Sequence, residues 1–244
     1  MNAIEIKGLK KVYKASGKSP KKEVLHGFDL EIKKGEFVGI LGSNGAGKTT
    51  TINCITGISE PSEGSIKVSD LDVVADYRLA RAEIGLSPQE FNIDIFQTVY
   101  EILYFQGGLF GMDKNSRKIK TEELIKLFDL ESHRDKKFMM LSGGLKRRTV
   151  VAKALMHSPN ILILDEPTAG VDVETRQALW KYLKEIHAAG KTIILTSHYL
   201  EEVQELCDRV VIIKEGNPVY DESMNEATKD GKLEAKYLEV VAKE

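Results

Sequence analysis

Four stretches of the chain are apolar almost without interruption: residues 37–41 (FVGIL), 161–164 (ILIL), 193–196 (IILT) and 210–213 (VVII). A strand with one wet face alternates apolar and polar side chains. Short continuous runs therefore predict strands buried on both faces, as in a parallel sheet. Between them the period changes. Residues 173–187 carry Leu179, Leu183 and Ile186 at helical spacing and stop near Gly190, and 200–207 reads as a shorter helix. Strand and helix in alternation predict an α/β domain. Residues 2–36, with 64–74, read as shorter alternating strands joined by turns. From about 90 to 157 no run suits a buried strand, and helical segments are expected near 97–105, 121–128 and 142–156. That stretch is expected to be a helical insertion within a domain spanning 1–220. Residues 221–244 are polar and expected to form a short extension ending in a helix with Leu238, Val240 and Val241.

The 244 residues are 42% apolar, enough for a substantial core. Lys and Arg total 35 against 37 Asp and Glu, so no basic excess points to nucleic acid. The longest apolar runs are a few residues, too short to cross a bilayer, so a membrane role must run through a partner chain. The first residues hold no apolar stretch of signal-peptide length. Cys54 and Cys207 each lie among apolar neighbours and are expected to be buried free thiols, which fits a reducing, cytosolic compartment. Residues 14–22 (KASGKSPKK) read as a surface loop.

Candidate chemistry concentrates after the buried runs. Residues 42–49 (GSNGAGKT) fit G-x-x-x-x-G-K-[ST], following the strand FVGIL and opening a helical segment, the context this phosphate-binding loop requires. Gly42, Ser43, Asn44, Gly45, Ala46, Gly47, Lys48, Thr49 and Thr50 are the expected ATP-binding residues. Their backbone N–H groups and the helix start, whose field is worth about 0.3–1 kcal/mol at an exposed site, favour phosphate. Lys48 is expected on the β- and γ-phosphates and Thr49 on Mg²⁺. In ILILDE the strand delivers Asp165, expected in the Mg²⁺ shell, and Glu166, expected to polarise an attacking water. Ser142 is expected to cap a helix whose start, Gly143 and Gly144, is bare: a second anion site in one chain, most simply read as closing over a partner's nucleotide. Lys146, Arg147 and Arg148 read as a solvated face. His198, just after a core strand, could hold a catalytic carboxylate or a γ-phosphate. Gln89 could touch Mg²⁺ or the water, and Tyr13 could stack on adenine.

Taken in order, Tyr13, GSNGAGKT, Gln89, LSGGL, ILILDE, Asp172 in AGVD and His198 resemble the ATP-binding subunit of an ABC transporter, over the chain up to about residue 219. The resemblance implies a P-loop NTPase RecA-like core with an antiparallel β subdomain and an α-helical subdomain. It further implies a head-to-tail dimer of two copies, or of this chain and a homologous ATPase, with two ATP molecules between them. Ser142, Gly143 and Gly144 would contact the partner's γ-phosphate, and Asp172 would lie beside the shared site. Glu166 becomes the catalytic base and His198 the switch histidine. The signature's usual glutamine is Leu145, and the commoner SALD is AGVD. LSGGLKRR with TAGVD resembles the subgroup serving export-type permeases, which implies a subunit held at the cytoplasmic face of the membrane by a separate permease. A soluble ABC ATPase of assembly or repair and a P-loop kinase are the alternatives. The kinase leaves LSGGL and the late histidine without a role.

Overall fold

The computed structural model describes residues 1–14, 21–229 and 231–242. In chain order its elements are β1 (Asn2–Tyr13), β2 (Lys22–Lys33), β3 (Phe37–Leu41), α1 (Lys48–Ile55), β4 (Glu63–Val68), β5 (Leu71–Asp72), α2 (Tyr77–Ala82) and β6 (Ile84–Ser87). Then come α3 (Val99–Leu109), α4 (Lys114–Leu127), α5 (Gly143–Ala154), β7 (Ile161–Asp165), α6 (Val173–Ala188), β8 (Thr192–Ser197) and α7 (Leu200–Leu206). Last are β9 (Arg209–Lys214), β10 (Asn217–Ser223), α8 (Met224–Ala227) and α9 (Leu233–Ala242).

Among the described residues the strands form two sheets, ordered β10-β9-β3-β8-β7-β6 and β2-β1-β4-β5. Every pairing in the first is parallel except β10 with β9, and every pairing in the second is antiparallel. The central strands of the larger sheet, β9, β3, β8 and β7, are covered on both faces, which is why they are mostly apolar without alternation. Phe37, Leu162, Leu164, Leu195 and Ile212 pack on the helical side with α3, α4, α5 and α6. Their neighbours Val38, Ile161, Ile163, Ile194 and Val211 pack on the other side, against β1, β2, β4 and α1. Strand β3 lies between β8 and β9, so the loop after it emerges in the middle of the sheet's carboxyl edge, where α/β folds place ligands.

Several boundaries differ from expectation for local reasons. β1 and β2 are long rather than short, 12 residues each, and their pairing shifts register at several points. Each shift breaks the period-two pattern into fragments. β6 was not legible: IGLS is four residues long and interrupted by Gly85. β10 runs across the expected boundary at 220/221. It is an edge strand with mostly exposed side chains, which look like loop composition. α4 starts well before residue 121, at Lys114, where Asp113 accepts hydrogen bonds from the N–H groups of Asn115 and Ser116; its first turns are too polar to show a stripe. The loop expected at 14–22 falls mostly on residues outside those described. Cys54 and Cys207 are free and buried. Among the described residues no helix is long and apolar enough to cross a membrane.

Candidate functional site

The loop leaving β3 turns into α1 at Gly47, whose φ of 113° a side chain would resist and whose added Cβ would lie 2.8 Å from Leu25 Cδ2. No side chain caps α1, so the N–H groups of its first turn stay available to an anion. Lys48 folds back over the loop, 5% exposed. Its Nζ donates to the carbonyls of Gly42 at 2.8 Å and Ser43 at 3.3 Å and lies 3.9 Å from Glu166 Oε1. Burial pushes the Lys48 ammonium below its usual pKa, against the pull of the Glu166 and Asp165 carboxylates.

The end of β7 supplies the carboxylates. Asp165 Oδ2 accepts from Thr49 Oγ1 at 3.2 Å, and Oδ1 accepts from Thr196 Oγ1 on β8. Glu166 N–H donates to the carbonyl and to the hydroxyl of the same Thr196, both at 3.1 Å. Glu166 has φ of 48°, a left-handed conformation uncommon outside glycine, so the chain turns sharply there. Its buried carboxylate meets three groups at once. Gln89 Nε2 donates to Oε2 at 3.2 Å, His198 Nδ1 lies 3.2 Å from the same oxygen, and Lys48 faces Oε1. His198 stays 43% exposed, its ring 4.1 Å from that of Tyr199.

Gly47, Lys48, Thr49, Gln89, Glu166 and His198 line an open cleft of about 700 Å³ bounded also by Tyr13, Lys22, Val24, Asn44, Gly45, Thr50 and Ala169. That is a volume suited to a nucleotide-sized ligand. Tyr13 is at its outer end, partly exposed, with Lys11 Nζ 5.1 Å from the ring centroid. The Thr49 hydroxyl and the Asp165 carboxylate are hard oxygen donors beside the phosphate loop, a set that fits Mg²⁺, which keeps waters and substrate oxygens rather than a full protein cage. Gln89 turns its amide nitrogen toward Glu166.

A second group of expected residues does not line the cleft. Ser142 caps α5, accepting from Leu145 N–H at 3.3 Å. A Cβ on Gly143 would meet nothing within 4 Å, whereas one on Gly144 would lie 2.5 Å from Thr175 Oγ1. Asp172 caps α6: it accepts from Thr175 N–H at 2.8 Å and from the Thr175 hydroxyl at 2.9 Å, which holds its carboxyl below the usual range. Gly144 and Asp172 thus meet at Thr175.

The basic triplet after this motif is not a solvated face. Arg147 is 3% exposed, donating to the carbonyls of Pro88 at 2.8 Å and Gln89 at 3.0 Å, with its guanidinium 4.9 Å over the Phe91 ring. Burial lowers its pKa. Helical spacing puts it on one stripe with Gly144, Val151 and Ala154, a signal that the charges concealed. Arg148 likewise leans on Tyr182, 5.7 Å from its ring, and reaches Phe128 O at 3.5 Å. Thr196 was also missed; nothing in the run IILTS marks it, since its role comes from pairing opposite Asp165.

The chain is similar to known proteins over most of its length. The family model described as ABC transporter matches residues 25–169. The chain is 40% identical over 217 residues to the Nod factor export ATP-binding protein I of Paraburkholderia xenovorans (strain LB400), covering 89% of this chain and 69% of that protein. It is 37% identical over 216 residues to the linearmycin resistance ATP-binding protein LnrL of Bacillus subtilis (strain 168), covering 88% and 68%. Of the Nod factor export protein I of Burkholderia lata it spans 65%. Among solved structures, the dimeric post-hydrolysis state of the ATP-binding cassette MJ0796 bound to ADP and Pi superposes with a TM-score of 0.82 at 27% identity, over 91% of this chain and 98% of that one. A structure of an ATP-binding subunit of an ABC transporter gives 0.86 at 26% identity, over 98% and 99%. A phosphate loop at the sheet's carboxyl edge, a family match through more than half the chain and relatives aligned along nearly all of it lead to one conclusion: the chain belongs to the ABC transporter family, as an ATP-binding subunit.

Proposed function

We propose that the chain hydrolyses MgATP as a head-to-tail pair and drives export through a separate membrane permease. The observation that carries this reading is the division of the candidate residues. One set surrounds the cleft, and the other, Ser142, Gly143, Gly144 and Asp172, lies at the starts of α5 and α6 outside it. A nucleotide in the cleft would leave those helix starts unused. A second copy turned end for end would set its own Ser142 and glycines over the γ-phosphate, with Asp172 beside the shared pocket.

With ATP bound, loop N–H groups would hold the phosphates and Tyr13 the adenine. Lys48 would exchange the Gly42 and Ser43 carbonyls for phosphate oxygens, a better partner for a desolvated ammonium. Thr49 and Asp165 would hold Mg²⁺, which when bound would neutralise charge on the phosphates. Glu166 would take a proton from the attacking water, its carboxylate aimed by Gln89 and His198. Loss of the γ-phosphate removes the bridge between the chains and the pair opens. The test is turnover by the purified chain and by Glu166→Gln. The reading expects turnover without any added phosphate acceptor, and a loss of about 100- to 10,000-fold in the variant with ATP still bound. Equal rates would remove Glu166 from its role, and an obligatory small-molecule acceptor would make the chain a kinase.

Export is supported by the relatives named for Nod factor export and linearmycin resistance. A groove of about 310 Å³ lined by Thr56, Ile58, Arg81, Leu86, Phe110, Lys153 and His157 suits the permease contact. Ile58 is 62% exposed at its rim. The groove touches β6 through Leu86, three residues before Gln89, and α5 through Lys153, the helix that Ser142 caps. A load on it would reach both nucleotide-facing segments.

A further inference from the structure

The turns that carry Glu166 and His198 follow adjacent strands, β7 and β8, and are far apart in sequence. Both are tied to one atom. Two residues past Glu166, Thr168 Oγ1 donates to Glu202 Oε2 at 2.9 Å. One residue before His198, Ser197 Oγ donates to the same oxygen at 2.8 Å. The Ser197 hydroxyl also accepts the N–H of Tyr199 at 3.0 Å, closing a loop around His198. The other oxygen, Oε1, accepts from Trp180 Nε1 on α6 at 3.1 Å. Glu202 itself lies on α7 with no exposed surface, and Thr168 and Ser197 are buried beside it.

A carboxylate placed there is costly in itself. Burial raises its pKa, while the three hydrogen bonds and Arg176 pull the other way. An apolar side chain would fill the space without that cost, yet could not hold two hydroxyls from two turns at a fixed spacing. We propose that Glu202 is a positioning residue for ATP hydrolysis: one buried oxygen, shared by Thr168 and Ser197, sets the separation between the Glu166 carboxylate and the His198 imidazole. This rests on the roles proposed above for Glu166 and His198. Errors of about 1 Å in such a constellation can cost on the order of 100-fold in rate. The hydrogen bonds of the clamp run to Thr168, Ser197 and Trp180 and not to phosphate-loop residues, so nucleotide affinity should change less than turnover.

The experiment compares Thr168→Val, Ser197→Ala, the double variant and Glu202→Gln in the full chain. It measures kcat and KM for MgATP alongside thermal stability. Thr168→Val is nearly isosteric and removes one donor while keeping the side chain's volume. The expected result is a kcat lowered about 10- to 100-fold with KM changed less than about threefold. The double variant is expected to be no worse than the poorer single one, because both donors act through one oxygen. Wild-type kcat in variants that only melt earlier would overturn the proposal, as would losses that multiply in the double variant. Wild-type protein without any ATP turnover would instead defeat the ATPase reading itself.

Discussion

Arg147 grips the backbone on which Gln89 is carried: its two terminal nitrogens donate to the carbonyls of Pro88 and Gln89, at 2.8 and 3.0 Å. Arg147 stands on α5, the helix capped by Ser142, so the segment that faces the chain's own cleft and the segment proposed to face a partner's nucleotide are joined by one side chain. A rigid planar fork holds two carbonyls at a fixed spacing and direction, which the point-like ammonium of a lysine does less well. Arg147→Met leaves both carbonyls short of a buried donor and should lower unfolding stability by about 2 kcal/mol or more, with kcat falling further than ATP affinity. Arg147→Lys should recover stability in part and kcat less. Denaturant melts and steady-state kinetics on the two variants decide it.

Adjacent glycines should part company. At Gly144 an added methyl runs into Thr175, whereas at Gly143 it enters open space. Gly144→Ala should therefore destabilise the subunit itself, by about 1–3 kcal/mol. Gly143→Ala should leave the melting temperature at or above that of the wild type, since alanine suits a helix better than glycine. It should nevertheless weaken ATP-dependent pairing. Intact pairing by Gly143→Ala would argue against its place over a partner's phosphate.

His157 lies flat on Phe110, ring centroids 3.6 Å apart, with Nε2 3.0 Å from the Ile84 carbonyl. Burial pushes its pKa below the ordinary 6.5, helped by nearby Lys191 and opposed by that carbonyl. Below about pH 6.5 the unfolded chain then binds more protons than the folded one, so the His157 contribution to stability falls as pH drops toward the folded pKa. Thermal melts between pH 8 and 5 should show a steeper acid decline for the wild type than for His157→Gln.

Ile58→Glu places a charge at the rim of the groove proposed as the permease contact. Co-purification of the chain with its permease should drop about tenfold or more. Full recovery would move the docking surface elsewhere.

The sheet that positions the cleft was legible because strands 37–41, 161–165 and 192–197 are buried on both faces and keep their polar residues at the ends. The phosphate loop was legible because its chemistry is local: eight consecutive residues act through their own backbone. Glu202 and Arg147 were not, because a buried charge looks on paper like any surface charge. Only packing against Thr168, Ser197 and Trp180, or against Pro88 and Gln89, reveals it. Thr196 escaped for a related reason, since its partner Asp165 is set by strand register and not by spacing along the chain.

The most direct test is the molar mass of Glu166→Gln in solution, by light scattering, with and without saturating MgATP. The chain weighs 27.2 kDa. The expected result is a species of twice that mass with MgATP and of single mass without it, the doubling lost when Ser142→Ala is added. A single-mass particle at saturating MgATP, alone or mixed with its permease, would contradict a pocket built from two chains.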